Sequence, residues 1–565
     1  MKSGIYFIVF ICCWQMSLLC VHAQIQVAPD RYRVEFTDKK HNVYTINQPE
    51  FFLSQRALQR RARQGISVTE ADLPVSACYI DSLKQMGFEV LNNSRWFNSA
   101  IIRSSPENLE KLEHFNFIKH HPVIQKERVQ DTTVDDDDFF VFHFKRKNEP
   151  DSASKYAASA QYYGQAADQV GMMNGQALHN RGFRGKGKLI AVIDGGFYKV
   201  MELSGFDSLR NSGRLREMKN FTPEINDNSE ENGHGANVLS IIASHLQGRM
   251  MGTAPDAEFV LLRSEESDSE YIVEEDNWVT AVEYADSIGV DLITTSLGYT
   301  TFDERSQNHC YQELDGRAAR ASQAATMAAA RGIIVCVSAG NDGDTRWKYV
   351  SVPADADSVV TVGAVDRNGR YVSFSSHGHT ADNRIKPDLT AMGKETAYQN
   401  SMGNINTGNG TSYSTPLLAG LMACLWQAFP DSGNMEIIEM VKRSASHFNE
   451  PDSLYGYGIP DFSKPMQSSF LLPAAKNESY AVSVLPDPRT ETCTLFLSPA
   501  RHGRVRILIK TPSGQQVFSH SAYVSGYDMY ELPIKDVTNF ASGLYLIDVR
   551  TDAGKIVAKM NSFGF

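Results

Sequence analysis

The sequence is poor in cysteine. Of its eight cysteines, Cys12, Cys13 and Cys20 fall in the first 23 residues, leaving Cys78, Cys310, Cys336, Cys424 and Cys493. An odd, scattered set with no CxxC pair is no disulfide framework, and without an HExxH segment a zinc site is not expected. Basic charge is also short: Lys and Arg total 55 against 66 Asp and Glu, a net −11. That balance excludes a general nucleic-acid binder, whose footprint is basic. Past the N-terminus no apolar run is long enough to span a bilayer, since Leu417–Trp426 has only the length of a core helix. No dinucleotide fingerprint is present either. Gly182, Gly185 and Gly187 precede the strand-like Leu189–Ile193, whereas a phosphate-binding glycine loop follows a strand and opens a helix.

What is there divides the chain into segments. Residues 1–23 read as an export signal: Lys2, the short apolar run Ile5–Leu19, then Val21-His22-Ala23 before a first exported residue, Gln24. Residues 24–125 read as a small α+β unit, with strands at Tyr32–Phe36, Phe88–Leu91 and Ser99–Arg103. Its helices are Phe51–Gln64, Ile80–Met86 and a short one over Pro106–His114 with Leu109 and Leu112 inward. Arg56, Arg60, Arg61 and Arg63 read as a solvated helix face. Residues 126–160, with Asp135–Asp138, Lys145-Arg146-Lys147 and a Ser/Ala-rich stretch, read as an exposed linker open to processing.

From 161 to 466 the pattern becomes strands alternating with helices. Leu189–Ile193, Phe259–Leu262, Leu292–Thr295, Ile333–Val337 and Val359–Val365 are continuous apolar runs, as expected for strands buried on both faces of a parallel sheet. Trp278, Ala281, Val282, Ala285 and Ile288 mark an amphipathic helix between two of them. The acidic stretch Glu265, Glu266, Asp268, Glu270, Glu274, Glu275 and Asp276 reads as a solvated face, with a preference for basic peptides as the alternative. Cys336 and Cys424 read as small core residues. The predicted class is a doubly wound α/β domain, whose ligands bind beyond the C-terminal ends of the strands. From 478 to 565 alternating strands such as Arg504–Lys510, Gln515–His520 and Leu544–Arg550 predict a β-sandwich.

Three segments place chemically useful residues at structural edges. Ile190–Ile193 is a buried strand ending on Asp194, with Gly195-Gly196 after it. Asn232-Gly233-His234-Gly235 opens an apolar helix on a histidine; His245, eleven residues further along, lies about 16 Å away on that helix. Gly408-Asn409-Gly410-Thr411-Ser412 opens a second apolar helix, with Pro416 placed in its first turn. There the helix N-terminus favours negative charge on or beside the serine oxygen. Each alone is also explained by a turn carboxylate, a structural histidine or an N-cap serine.

Together these segments resemble the subtilase family of serine peptidases. Gly410-Thr411-Ser412-Tyr413-Ser414-Thr415-Pro416 matches the family's Gly-Thr-Ser-x-x-x-Pro, and Asp194-Gly195-Gly196 and His234-Gly235 match its other two motifs in the family order. Gly252-Thr253-Ala254-Pro255 and Lys386-Pro387-Asp388-Leu389 match two further signposts. Ala236 stands where Thr is usual, and Tyr413 where Met or Phe is common. The resemblance implies a subtilisin-like fold and endopeptidase activity, with Asp194, His234 and Ser412 as triad and Asn341, after Val337-Ser338-Ala339-Gly340, as oxyanion-hole donor. Ser414 lacks the Gly-Thr context. Ser296, Leu297 and Gly298 would pair with substrate backbone, and Ala339 and Gly340 would complete the pocket walls. No cofactor is required; structural calcium is common in the family, but no ligands are assigned from the sequence. The segment 24–125 would be a propeptide that plugs the cleft until the linker is cut. Leu485-Pro486-Asp487-Pro488 and Gly543–Val549 resemble type IX secretion sorting domains, implying a Gram-negative bacterium, partners in its secretion machinery, and a secreted or surface enzyme. The alternative is an inactive secreted adhesion protein on the same scaffold.

Overall fold

The structure is a computed structural model. It describes residues 21–22, 24–122, 157–223 and 232–466 and, toward the C-terminus, 480–487, 492–499, 503–511, 513–524, 530–534, 543–551 and 554–562. Nearly all of the export signal, nearly all of the linker and Pro488 therefore lie outside the described residues. Contacts divide the chain into two units, residues 1–43 with 74–149, and residues 44–73 with 150–565.

In the first unit, Gln24–Ala28, Arg31–Glu35, Ser99–Arg103 and Glu89–Ser94 form an antiparallel sheet in that order. Tyr32, Val34, Ala100 and Ile102 point to one face and bury against Tyr79 and Leu83 of the helix Ala77–Gln85. Leu109 and Leu112 join this core as expected, although Pro106–His114 is a 3-10 helix.

The second unit corrects the reading of Arg56–Arg63. The helix α1 (Gln55–Arg63) belongs to this unit, and its arginines are not all solvated: Arg60 is 4% and Arg61 1% exposed. The reason is charge pairing far along the chain. Arg60 contacts Asp286, Arg61 donates to Asp286 at 2.7 Å and to Asp72 at 2.9 Å, and Arg331 donates to Asp72 at 2.8 Å. Buried guanidinium groups persist only where carboxylates compensate their lost hydration.

The main sheet contains β1 (Leu189–Asp194), β2 (Leu215–Asn220), β3 (Glu258–Arg263), β4 (Leu292–Thr295), β5 (Ile334–Ser338), β6 (Val360–Val365) and β7 (Leu389–Met392). All pairings are parallel, in the order β7-β6-β5-β4-β1-β3-β2. Ile190, Val192, Phe259, Leu261, Ile334 and Cys336 face one side and pack on α2 (His234–Ala243) and α5 (Thr411–Ala428). The helices α3 (Val273–Ile288) and α4 (Arg320–Ala330) pack together on the other side, where the Trp278 indole N–H donates to Thr295 Oγ1 at 3.1 Å. Strand order reverses between β1 and β4, the kind of switch point at which α/β sheets place their sites.

Near the C-terminus, a three-stranded and a four-stranded antiparallel sheet share a core that includes Leu495, Val505, Ile507, Ile547 and Val549. This agrees with the expected β-sandwich.

Candidate active site

The C-terminal ends of three adjacent strands carry the site. Asp194 ends β1, Ser296 follows β4 and Asn341 follows β5, and these strands are neighbours in the sheet. Asp194 is fully buried, and its Oδ1 lies 2.7 Å from His234 Nδ1 while accepting the Gly195 N–H at 2.8 Å. Its Oδ2 is buried without a hydrogen-bond partner among the described residues. The Asp194 charge raises the His234 pKa above its ordinary value, outweighing the opposing effect of burial. Close packing fixes the pair: a Cβ on Gly235 would lie 2.6 Å from Gly196 O and 2.9 Å from Asp194 Cβ. Sequence reasoning did not single out the side chain of Asn232, whose Oδ1 accepts the His234 backbone N–H at 3.0 Å. An Asx residue two positions before a helix start is the local signal for such a bond.

Ser412 stands in the first turn of α5, after Gly410 at φ +152°, a backbone angle that glycine tolerates. Pro416 lies beyond the expected first turn, the sixth residue of α5. It has no N–H to return to the carbonyl of Ser412 four residues earlier. That carbonyl instead accepts from Ser296 Oγ at 3.0 Å, and the Ser412 hydroxyl donates to Ser296 O at 3.2 Å. The interior proline thus leaves room for a reciprocal tie between α5 and the end of β4. In this structure the hydroxyl of Ser412 makes its bond to Ser296 and none to His234. Ser414 is fully buried, its hydroxyl without a partner among the described residues.

Asn341 is held by its oxygen. Its Oδ1 accepts from Thr411 N at 2.8 Å and from Thr411 Oγ1 at 3.1 Å, leaving Nδ2 as the donor end. Thr411 Oγ1 also meets Gly340 O at 3.1 Å, so one hydroxyl ties β5 to the start of α5. On the walls, Leu297 is half-buried and Gly298 exposed. A Cβ on Gly298 would lie 2.1 Å from Ser351 Oγ. Ala339 is fully buried; its N–H donates to Val362 O and its carbonyl accepts from Ser351 N. It stands behind the wall, whereas Gly340, at φ +109°, reaches its edge half-buried.

Other histidines stay apart from this constellation. His245 is not on the helix of His234, as the sequence suggested: α2 ends at Ala243, and His245 stands in a short strand beyond it and contacts Ser208 Oγ. His179 is buried against Tyr163 and Thr253 O, and burial pushes its pKa down to about 4. The acidic stretch is not the solvated face that the sequence suggested: Glu274, Glu275 and Asp276 are buried. His309 lies 2.6 Å from Glu275, and Arg320 3.0 Å from Asp276. Cys336 and Cys424 are core residues, as expected.

Comparison with known proteins places this geometry among relatives. Residues 185–458 match the subtilase family, and residues 31–137 match the peptidase S8 propeptide domain of Bacteroidota. The serine protease AprX of Bacillus subtilis is 29% identical over 317 residues, covering 50% of this chain and 66% of that protein. Subtilisin BL of Lederbergia lenta is 27% identical over 291 residues, 51% of this chain and 94% of that one. Among solved structures, the epidermin leader peptide processing serine protease of Staphylococcus aureus has a similar fold. Its TM-score is 0.50 at 19% identity, covering 79% of this chain and 99% of that one.

Proposed function

The chain belongs to the subtilase family and is a subtilisin-like serine endopeptidase with a propeptide domain, and from that premise we propose that it is a secreted zymogen cutting peptide bonds with Asp194, His234 and Ser412. The observation that carries this reading is the convergence of a buried Asp194–His234 pair and the Ser296–Ser412 tie on adjacent strand ends.

For reaction, the Ser412 hydroxyl turns from the Ser296 carbonyl toward His234 Nε2. The imidazole takes its proton as the oxygen attacks the substrate carbonyl, then returns it to the leaving amine. Asp194 keeps the Nδ1 proton in place and stabilises the imidazolium. Asn341 Nδ2 and the Ser412 backbone N–H receive the oxyanion, a task suited to Asn341 because its oxygen is already tied to Thr411. The exposed edge at Leu297–Gly298 and the rim at Gly340 would take substrate backbone, with Ser296 and Ala339 supporting them from behind. This chemistry draws on side chains and backbone groups alone, with no cofactor in any step.

The propeptide would block the cleft until the linker 126–160 is cut. A Bacteroidota-type propeptide fits export from a Gram-negative cell, with the C-terminal β-sandwich engaging type IX secretion machinery. Among the described residues, no helix is long and apolar enough to cross a membrane. The test is hydrolysis of a peptide library by the exported protein, with N-terminal sequencing. Activity that vanishes in His234→Ala and a mature N-terminus within 126–160 are expected. An active species beginning at Gln24 contradicts the zymogen reading, and activity retained in His234→Ala contradicts the triad.

A further inference from the structure

Beside the active-site edge lies a group of carboxylates that the peptidase chemistry does not use. Glu265, Glu270 and Glu274 each present a carboxylate oxygen, all within 4.8 Å of one another. Their surroundings differ from those of the acids next to them. Glu275 is met by His309 and Asp276 by Arg320, whereas no Lys, Arg or His among the described residues forms an ion pair with the three. The Glu265 carboxylate accepts from Ser264 Oγ at 2.6 Å and from the Tyr299 hydroxyl at 2.8 Å. Glu274 is 1% exposed; one oxygen accepts the Glu266 N–H at 2.7 Å, and Oε2 is buried with no hydrogen-bond partner among the described residues. A buried carboxylate oxygen with no donor is costly, and clustered like charges raise that cost.

We propose that Glu265, Glu270 and Glu274 form a binding site for a hard divalent cation, calcium by its preference for carboxylate oxygens. An ion about 2.4 Å from each oxygen spans separations of up to about 4.8 Å, and the remaining positions of a six- to eight-coordinate shell go to water or carbonyl oxygens. Glu270 is exposed and gives the ion a way in, while Glu274 anchors the buried side. Burial pushes the pKa values of Glu265 and Glu274 up, and the neighbouring carboxylates add to the effect. Asp194, Glu266, Tyr299 and Asp303 also face the group, and the Arg263 guanidinium beside it donates to Glu265 O and to Ser267 Oγ, each at 3.0 Å.

The site has a structural consequence. It closes the turn after β3, whose last residue Arg263 pairs in register with Asp194, and through Tyr299 it grips the segment that carries Leu297 and Gly298. The ion would thereby hold the substrate wall in place.

The experiment uses the full chain carrying Ser412→Ala, so that binding is measured without self-cleavage and independently of the proposed activity. Terbium luminescence sensitised by nearby aromatic rings, displaced by calcium, reports occupancy, and thermal unfolding reports coupling. Calcium at about 100 times its Kd is expected to raise Tm by about 5 °C. Glu274→Gln should abolish the calcium-displaceable luminescence and the Tm rise; Glu270→Gln, at an exposed position that does not endanger folding, should weaken both at least tenfold. Equal calcium responses in the parent and both variants overturn the proposal. So does a parent indifferent to calcium; if Glu270→Gln then also loses a preference for Lys or Arg in the substrate, measured with Ser412 intact, the cluster serves a basic side chain instead.

Discussion

Replacing Asn341 tests how the site stabilises its transition state. The side chain has two ends with separate duties. Oδ1 takes two hydrogen bonds from Thr411, at 2.8 Å from the backbone N–H and 3.1 Å from the hydroxyl, and Nδ2 is left to donate. Asn341→Ala removes both. Loss of a side-chain oxyanion donor costs about 10²–10³ in kcat, roughly 2.7–4 kcal/mol of transition-state stabilisation. Asn341→Asp separates the two duties, because a carboxylate still accepts from Thr411 but presents charge where a donor is needed. It should therefore keep the parent Tm and lose at least as much kcat as the alanine variant. Both should leave KM within about threefold, since the lost contact forms chiefly in the transition state. The assay is steady-state hydrolysis of a chromogenic peptide with thermal unfolding in parallel. A kcat loss under about fivefold in both variants, or a loss confined to KM, refutes the assignment.

Three further outcomes follow from contacts described above. Ser296→Ala strands the Ser412 carbonyl, because Pro416 cannot supply an N–H; a stability loss of about 1–3 kcal/mol should appear in denaturant titration, with kcat reduced. Asp286→Asn leaves Arg60 and Arg61 short of a buried counter-charge and should cost about 3–5 kcal/mol in unfolding of the Ser412→Ala protein; a change within about 0.5 kcal/mol means the pairing is not needed. The raised His234 pKa sets the acid limb of the pH–rate profile, because the base works only when neutral. Activity should fall as pH drops through a value above the ordinary imidazole pKa of about 6.5, and Asp194→Asn should move the limb to lower pH while lowering kcat. In stability the sign reverses: the ion pair contributes fully below the unfolded-state pKa and its contribution is lost as pH rises through the folded value.

The parts of this fold that could be read from the chain alone were those whose signal is local. Strands buried on both faces need apolar residues on both, so Leu189–Asp194 and Leu292–Thr295 stand out as runs. The edge strand Leu215–Asn220 is exposed along most of its length and shows no such run, and it was not anticipated. Arg60 and Arg61 look like solvated residues because the carboxylate they share, Asp286, lies more than 220 residues further on. Glu275 and Asp276 mislead for the same reason, since the His309 and Arg320 that meet them lie more than 30 residues further on. At the site, residue types and chain order were legible from motifs. The reciprocal Ser296–Ser412 bonds were not, because they need the strand order that sets β4 beside β1.

The most direct measurement of the central claim is covalent labelling of the mature protein with a fluorophosphonate, followed by peptide mapping. A nucleophile activated by His234 predicts one adduct, on the peptide containing Ser412, formed in the parent and absent from Ser412→Ala. Failure of the mature parent protein to label, or an adduct on any other residue, would contradict the account.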